Sequence, residues 1–282
     1  MSKYCAISIM CRDENQYLEE WIDYHLLIGF DHIQIWDNES KIPIRETVKK
    51  YIQNKTVSVK EIKGLVATQR QCSTQYQSCS NTLKSYHWVA LLDTDEFIVL
   101  LDKETNIKQY LKKFEQFGSV GLSWLMFNSN GHEHTQKSQI ESFTECHPGN
   151  LRVNQHVKSI VNTKHFISSP NPHYVMSNKD MVDVKGRKMK RGPFLSPAIH
   201  NEGMRINHYY TRSKEDWKLK QKRGAGGRDN SPSGLNKDGL SKKYTQKVWD
   251  GYHAGETVQN YDIINLVKRI KNEQNTAGNN DV

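Results

Sequence analysis

A chain of 282 residues can hold one large domain or two small ones, with length enough for a substantial core. Hydrophobic residues make up 36% and charged residues 25%, and no stretch approaches the roughly 20 apolar residues of a membrane-spanning helix. The excess of nine positive charges favours anionic partners, whether phosphates, nucleic acid or an anionic membrane surface, without choosing among them.

The N-terminus runs straight into an apolar strand with no signal-peptide architecture. Five cysteines (Cys5, Cys11, Cys72, Cys79 and Cys146) are an odd number with no Cys-X-X-Cys pair, which predicts reduced thiols in a cytosolic setting and no zinc site. Tyr4 to Met10 reads as a short buried strand closing on Cys11-Arg12-Asp13-Glu14-Asn15. Tyr17, Leu18, Trp21, Ile22, His25 and Ile28 then recur at helical spacing until Gly29. His32 to Trp36 is a second strand, ending on Asp37-Asn38-Glu39-Ser40; a helix over Ile44 to Tyr51 and a strand over Thr56 to Ile62 follow. Gln69 to Leu83 has helical potential and leads to the strand at Trp88. This strand-helix alternation predicts a parallel sheet with helices on its faces and three polar clusters on one edge.

The third cluster is the most informative. Trp88 to Leu100 is an apolar run interrupted by Asp93, Asp95 and Glu96. Bare carboxylates beside a core strand are costly unless a cation compensates them, and Asp-X-Asp sends both acids to one side of an extended segment. That suits a hard divalent ion at the carboxyl end of a strand, where α/β sheets bind ligands. An ordinary Asp-rich turn explains the tripeptide equally well.

Further on, Ile107 to Phe117 reads as an amphipathic helix and Val120 to Phe127 as a strand. Short strands are expected at Lys158 to Val161, His165 to Ile167, Met181 to Val184 and Arg205 to Tyr210. Lys185, Arg187, Lys188, Lys190 and Arg191 form a basic run expected to be a solvated loop. Lys214 to Arg223 is helical and basic, Gly224 to Gly239 is expected to be a mobile loop, and Asp262 to Lys271 a last helix. The expected organisation is a core over 1–213, a C-terminal helical appendage over 214–271, and a disordered tail over 272–282.

An ordered series of stretches gives the chain a family likeness. They are Arg12-Asp13-Glu14-Asn15 with Tyr17 to Trp21, Tyr24-His25 with Gly29 to His32, Asp37 to Ser40, and Trp88 through Phe97. Lys158-Ser159-Ile160-Val161, Pro172-His173, and Asn207-His208-Tyr209-Tyr210 with Ser213, Lys220, Arg223 and Gly224 continue it. In these the chain resembles the GT-A-fold glycosyltransferases, above all glycosyltransferase family 92 and its bacterial family 2-like relatives. The resemblance implies a GT-A (Rossmann-like) mixed, mostly parallel sheet flanked by helices. It also implies transfer of a sugar from a UDP-sugar to a glycan hydroxyl, with Mn²⁺ (or Mg²⁺) stabilising the diphosphate leaving group. Asp95 is then the first metal ligand, Asp93 reaches the metal or the ribose, and His208 returns as a third ligand, although by itself His208 reads as a core histidine. Glu96 is expected to hold the turn or bind sugar.

Arg12, Glu14, Asp37 and Asn38 are expected to contact the nucleotide, with helix capping and turn formation as the competing account of each. Arg70 and Gln71 reach for the base or lie exposed, and Lys220 and Arg223 clamp the diphosphate or face solvent. A base for an inverting reaction is sought among Asp183, Glu141, Glu202 and His173, with Asp183 preferred on chain position and His173 alternatively orienting the sugar. Asn128-Ser129-Asn130 departs from the family's Gly-Ser-rich version, which leaves sugar selectivity open; galactose is the family-level expectation. Trp124 and Tyr174 offer aromatic faces or are core. Family relatives with an N-terminal membrane helix contrast with this chain, so a cytoplasmic enzyme peripheral to the inner membrane face, acting on lipopolysaccharide or a similar glycan, is expected. A nucleic-acid-binding protein is the competing class, but the basic run carries no interleaved aromatics. A metal-dependent nucleotidyltransferase would bring a Gly-rich phosphate loop that Cys11 to Glu14 does not form.

Overall fold

A computed structural model describes residues 3–63, 67–149, 151–190, 192–195, 197–223 and 240–279. Its strands are β1 (Cys5–Cys11), β2 (His32–Asp37), β3 (Val57–Glu61), β4 (Trp88–Leu92), β5 (Glu96–Leu100), β6 (Ser119–Met126), β7 (Glu145–Cys146), β8 (Val157–Asn162), β9 (Phe166–Ser168), β10 (Met176–Ser177), β11 (Met181–Val182), β12 (Met204–His208) and β13 (Val258–Gln259). The helices are α1 (Asn15–Leu27), α2 (Ile44–Thr47), α3 (Lys49–Gln53), α4 (Ala67–Gln77), α5 (Ile107–Leu111), α6 (Gln139–Ser142), α7 (Lys214–Arg223), α8 (Gln246–His253) and α9 (Asp262–Asn279).

The main sheet runs β3-β2-β1-β4-β8-β6-β12-β5, with β11 added beside β6. β3, β2, β1 and β4 are mutually parallel, and β11 and β12 are parallel to β6. β8 and β5 run against their neighbours. This is the mixed, mostly parallel sheet flanked by helices that the family resemblance implies, whereas chain order alone predicts a parallel one. β1 and β4 are covered on both faces, which is why they read as continuous apolar runs. Cys11 lies opposite Asp37 and Ile9 opposite Leu92, so the three polar clusters do meet along one sheet edge. Gly29 ends α1 at φ 105°, and a Cβ there would meet the Asn106 amide oxygen at 2.6 Å, so position and neighbour both require glycine.

Several elements differ from the sequence reading. The helix expected over Ile44 to Tyr51 is two short pieces separated at Val48. The run after α4 continues as a π-helical turn over Ser78–Thr82. α8 was missed altogether. α9 extends to Asn279, eight residues beyond Lys271 and through most of the expected tail. Glu273 helps hold that extension by accepting a hydrogen bond from Thr105 Oγ1 at 2.6 Å. Ile263, Leu266 and Ile270 of α9 enter the same core as β1, β5 and β6. The Gly-rich stretch 224–239 lies outside the described residues.

Candidate functional site

The polar edge opens into a cleft of about 350 Å³, with Asp93, Thr94 and Asp95 at its floor. Chain order explains how His208 arrives there. β12 pairs with β5 so that His208 faces Glu96, and the Tyr209 N–H donates to the Asp95 carbonyl at 2.8 Å. His208 Nε2 comes to rest 3.4 Å from Asp95 Oδ1. Its Nδ1 is buried and makes no hydrogen bond. Trp124, across on β6, sets its ring edge-to-face with His208 at 4.4 Å and lines the cleft as well.

Asp93 and Asp95 belong to different ion networks. Asp95 Oδ2 accepts from Lys220 Nζ of α7 at 2.7 Å. Burial pushes the Asp95 carboxyl up, but Lys220 and then His208 more than offset it and hold it well below the usual carboxylate range. Burial acts on Lys220 as well and leaves its ammonium pKa lowered. Asp93 instead accepts from Lys158 Nζ at 2.7 Å and from Gln71 Nε2 at 2.7 Å. Lys158 comes from β8 and is almost wholly inaccessible. Burial opposes its charge, yet Asp93 and Glu96 raise its pKa overall. Glu96, completely buried, accepts the Asp93 backbone N–H at 2.9 Å, so it holds the turn as expected. Burial drives the Glu96 carboxyl well above its ordinary range despite Lys158.

Glu14 lines the cleft wall, but both of its carboxylate oxygens are engaged, one by Arg212 and the other by Arg223. Burial raises its pKa, and Arg212, Arg223 and Lys220 reverse this, leaving it at about 2. A carboxylate so engaged braces Arg212 and Arg223 at the cleft wall. Arg212 also donates to the Thr94 carbonyl at 3.2 Å, tying the acidic turn to the end of β12. It adopts φ 53°, and Asp13 (φ 50°) and Glu39 (φ 59°) on the neighbouring strand-end loops are also left-handed, so backbone strain gathers around this edge.

Of the residues expected from sequence, the structure brings Arg12, Glu14, Asn38, Gln71, Asp93, Asp95, His173, His208, Lys220 and Arg223 to the cleft. Asp37 is beneath it, where its carboxylate accepts the backbone N–H groups of Ser40 and Ile44, each at 3.0 Å; the turn-forming account of Asp37 is the one the geometry supports. Arg70 sits beside the cleft, bonded to Asn38 Oδ1 and, at 2.9 Å, to Glu39. Asp183 is not among the lining residues. Its carboxylate accepts from Arg187 Nε at 2.7 Å and from the Lys185 and Arg187 backbone, building its own turn. Glu141 is exposed in the first turn of α6 and is also away from the cleft. His173 is the one candidate base at the cleft. Its Nδ1 lies 3.1 Å from the Val157 carbonyl, which can only accept, so Nδ1 carries the proton and Nε2 keeps its lone pair. Burial first, then Lys158, keeps this imidazole neutral by lowering its pKa.

Sequence reading missed the roles of Lys158 and Arg212. A lone lysine inside the apolar strand Val157 to Val161 was the available signal for the first. Nothing local marks Arg212. Three members of the basic run pair with acids: Lys185 with Glu202, Arg187 with Asp183 and Lys188 with Asp180.

Ligands at about 2.1 Å in cis positions of an octahedral ion stand near 3 Å apart, and Asp95 Oδ1 and His208 Nε2 at 3.4 Å suit two such positions. Asp93 turns both oxygens elsewhere. Among the described residues no set of three or more His, Cys, Asp or Glu side chains is arranged to hold an ion, so the other positions would fall to diphosphate and water.

The sequence model of Glycosyltransferase family 92 matches residues 4–224. A glycosyltransferase family 92 protein of Ricinus communis is 22% identical over 219 residues, covering 76% of this chain and 37% of its own length. The chain therefore spans little more than a third of that relative. Among solved structures, S. aureus TarS residues 1–349 aligns with a TM-score of 0.42 and 12% identity over 77% of this chain and 63% of TarS. The same protein in complex with UDP-GlcNAc aligns at 0.40 and 14% over 70% and 62%. Likenesses of that size leave the chemistry to be argued from the site itself.

Proposed function

Because the chain belongs to glycosyltransferase family 92, we propose that it moves a hexosyl group from a UDP-sugar onto a hydroxyl of a glycan or glycolipid, inverting the anomeric carbon. The observation that carries this reading is the convergence of Asp95 and His208 with two buried cations, Lys158 and Lys220, and the partly buried Arg223 in one cleft at the strand ends. Asp95 and His208 would hold a divalent ion, Mn²⁺ or Mg²⁺, which when bound supplies positive charge to the departing diphosphate. Lys220 and Arg223 add charge to the same oxygens, and a dry cleft makes each interaction stronger than in water. Asn38, Arg12 and Gln71 lie at the ends of β2, β1 and the start of α4, where nucleoside edges need short amides and a guanidinium.

In the transfer, the acceptor oxygen bonds to C1 of the sugar as the C1–oxygen bond to the β-phosphate breaks, and UDP leaves with the electron pair. The hydroxyl proton passes to His173 Nε2. Burial, and after it Lys158, hold His173 weakly basic in the free enzyme, and the negative charge of an incoming diphosphate would act against the Lys158 contribution alone. Trp124 shapes the same wall from within the core, with His156 stacked on its ring at 4.8 Å. Galactose as the sugar, and lipopolysaccharide as the acceptor, rest on the family resemblance. The positive net charge and five free cysteines support a cytoplasmic enzyme touching an anionic membrane; among the described residues no helix is long and apolar enough to cross one. Cosedimentation with phosphatidylglycerol vesicles that persisted unchanged in high salt would contradict this electrostatic docking.

A screen of UDP-sugars by UDP release, with and without Mn²⁺, tests the function. Turnover of one UDP-sugar that collapses on chelation is the expected result. Release from none of them, or equal release by Asp95→Ala, would overturn it.

A further inference from the structure

Resting on the metal reading above, we propose that Lys220 is an exchangeable counter-ion: a divalent ion displaces it from Asp95, and the displaced ammonium takes up the donor's diphosphate. The Asp95 carboxylate is divided between two partners. Oδ2 meets Lys220 Nζ at 2.7 Å and Oδ1 faces His208 Nε2 at 3.4 Å. An ion between Oδ1 and His208 would place two more positive charges beside an ammonium that is itself only 5% exposed. Water does not screen charges so enclosed, so ion and ammonium cannot both be held on Asp95 at full strength.

Lys220 has a second anchorage and room to move. Its Nζ also donates to the Tyr210 carbonyl at 2.6 Å and lies 5.1 Å from the centre of the Tyr210 ring. Its side chain lines both the donor cleft and an adjoining groove of about 320 Å³. The neighbouring guanidiniums lack this freedom, because Arg212 and Arg223 are both fixed by Glu14. Without an ion, Lys220 spares Asp95 the penalty of an unpaired buried charge. With an ion bound, the ammonium is left needing an anion, and the diphosphate is the anion that arrives. Metal and nucleotide thus bind cooperatively through one side chain, and by linkage each tightens the other equally.

The test measures Mn²⁺ binding to the full chain by electron paramagnetic resonance of the free ion, with and without UDP, in wild type, Lys220→Met and Lys220→Gln. Without UDP, Lys220→Met should bind Mn²⁺ at least about tenfold more tightly than wild type. With saturating Mn²⁺, it should bind UDP roughly tenfold more weakly, so the coupling between the two ligands shrinks. Lys220→Gln keeps a neutral donor for Asp95 and the Tyr210 carbonyl, and it should shift both affinities in the same directions with its melting temperature preserved. Mn²⁺ affinity in both variants equal to or weaker than wild type overturns the exchange while leaving the metal reading intact. If wild type binds no Mn²⁺ even with UDP present, the metal reading itself fails and the exchange with it.

Discussion

Asp93 and Asp95 stand two residues apart in one turn, yet their counter-ions come from opposite kinds of structure. Lys158 projects from β8, in the middle of the sheet, and has Asp93 on one side and the sealed-in Glu96 on the other. Lys220 projects from α7, outside the sheet, and shares Asp95 with His208. A lysine fixed in a central strand can only hold its acid in place. One on a peripheral helix can let go. The lesson is that a shared motif does not give its two acids one job; the element supplying the partner charge decides.

The sharpest way to break that comparison is to neutralise each acid in turn. Asp95→Asn should cost at least about a thousandfold in kcat/KM, on the scale of losing a principal electrostatic stabiliser of the transition state. Asp93→Asn should cost far less activity and more melting temperature; equal losses in both variants would erase the distinction. Next comes Lys158→Met, which strands Asp93 beside Glu96. Breaking a fully buried ion pair from one side costs about 3–5 kcal/mol; Asp93 is 37% exposed and water screens it in part, so denaturant unfolding should show a smaller loss of about 2–3 kcal/mol, and an unchanged midpoint would refute the structural role. His173→Asn then asks whether the Lys158 side also touches the chemistry. A fall of about a hundredfold in kcat with little change in KM is expected of a lost general base, whereas a change confined to KM would make His173 a sugar-orienting group.

The smallest effect is a control beneath both networks. His25 is buried in the core with Nδ1 2.8 Å from the Trp21 carbonyl, and burial lowers its pKa to about 3. The unfolded chain binds this proton near pH 6.5 and the folded chain does not, so the stability contribution is whole above that value and is lost as pH falls from 6.5 toward 3. Each pH unit in that window costs about 1.4 kcal/mol, hence roughly 2 kcal/mol at pH 5. Melting curves between pH 7 and pH 5 should show the slope, and His25→Gln should flatten it; an identical slope in the variant would assign the loss elsewhere.

The parallel half of the sheet was legible because β1, β2 and β4 are apolar runs that stop flush at polar clusters. Strand geometry then forces those clusters onto one edge. The acidic turn and the return of His208 were also within reach, the second through family likeness. What sequence could not supply were the counter-ions. Lys220 is 125 residues from Asp95 and Arg212 is 198 from Glu14, and no local periodicity encodes pairing over such distances. Asp183 failed as a base for a related reason: position along the chain suggested the acceptor side, but a turn needing its carboxylate for Lys185 and Arg187 had already claimed it. The end of α9 was misjudged because a polar composition was read as disorder, whereas the helix anchored by Ile263, Leu266 and Ile270 runs on past them and Glu273 accepts a hydrogen bond from Thr105.

The position of β12 carries a consequence for biogenesis. β5 is an edge strand of the sheet and, among the described residues, pairs with β12 alone, so Glu96-Phe97-Ile98-Val99-Leu100 has no ladder partner until residue 208 has been made. At roughly 5–20 residues per second, that interval of about a hundred residues is on the order of 5–20 s. Throughout it, a nascent chain exposes a five-residue β-prone segment with one charge, the kind of edge that recruits other chains. Expression yield should therefore depend on translation speed between β5 and β12 and on chaperone supply, and truncations ending before Met204 should aggregate rather than accumulate as a smaller soluble sheet.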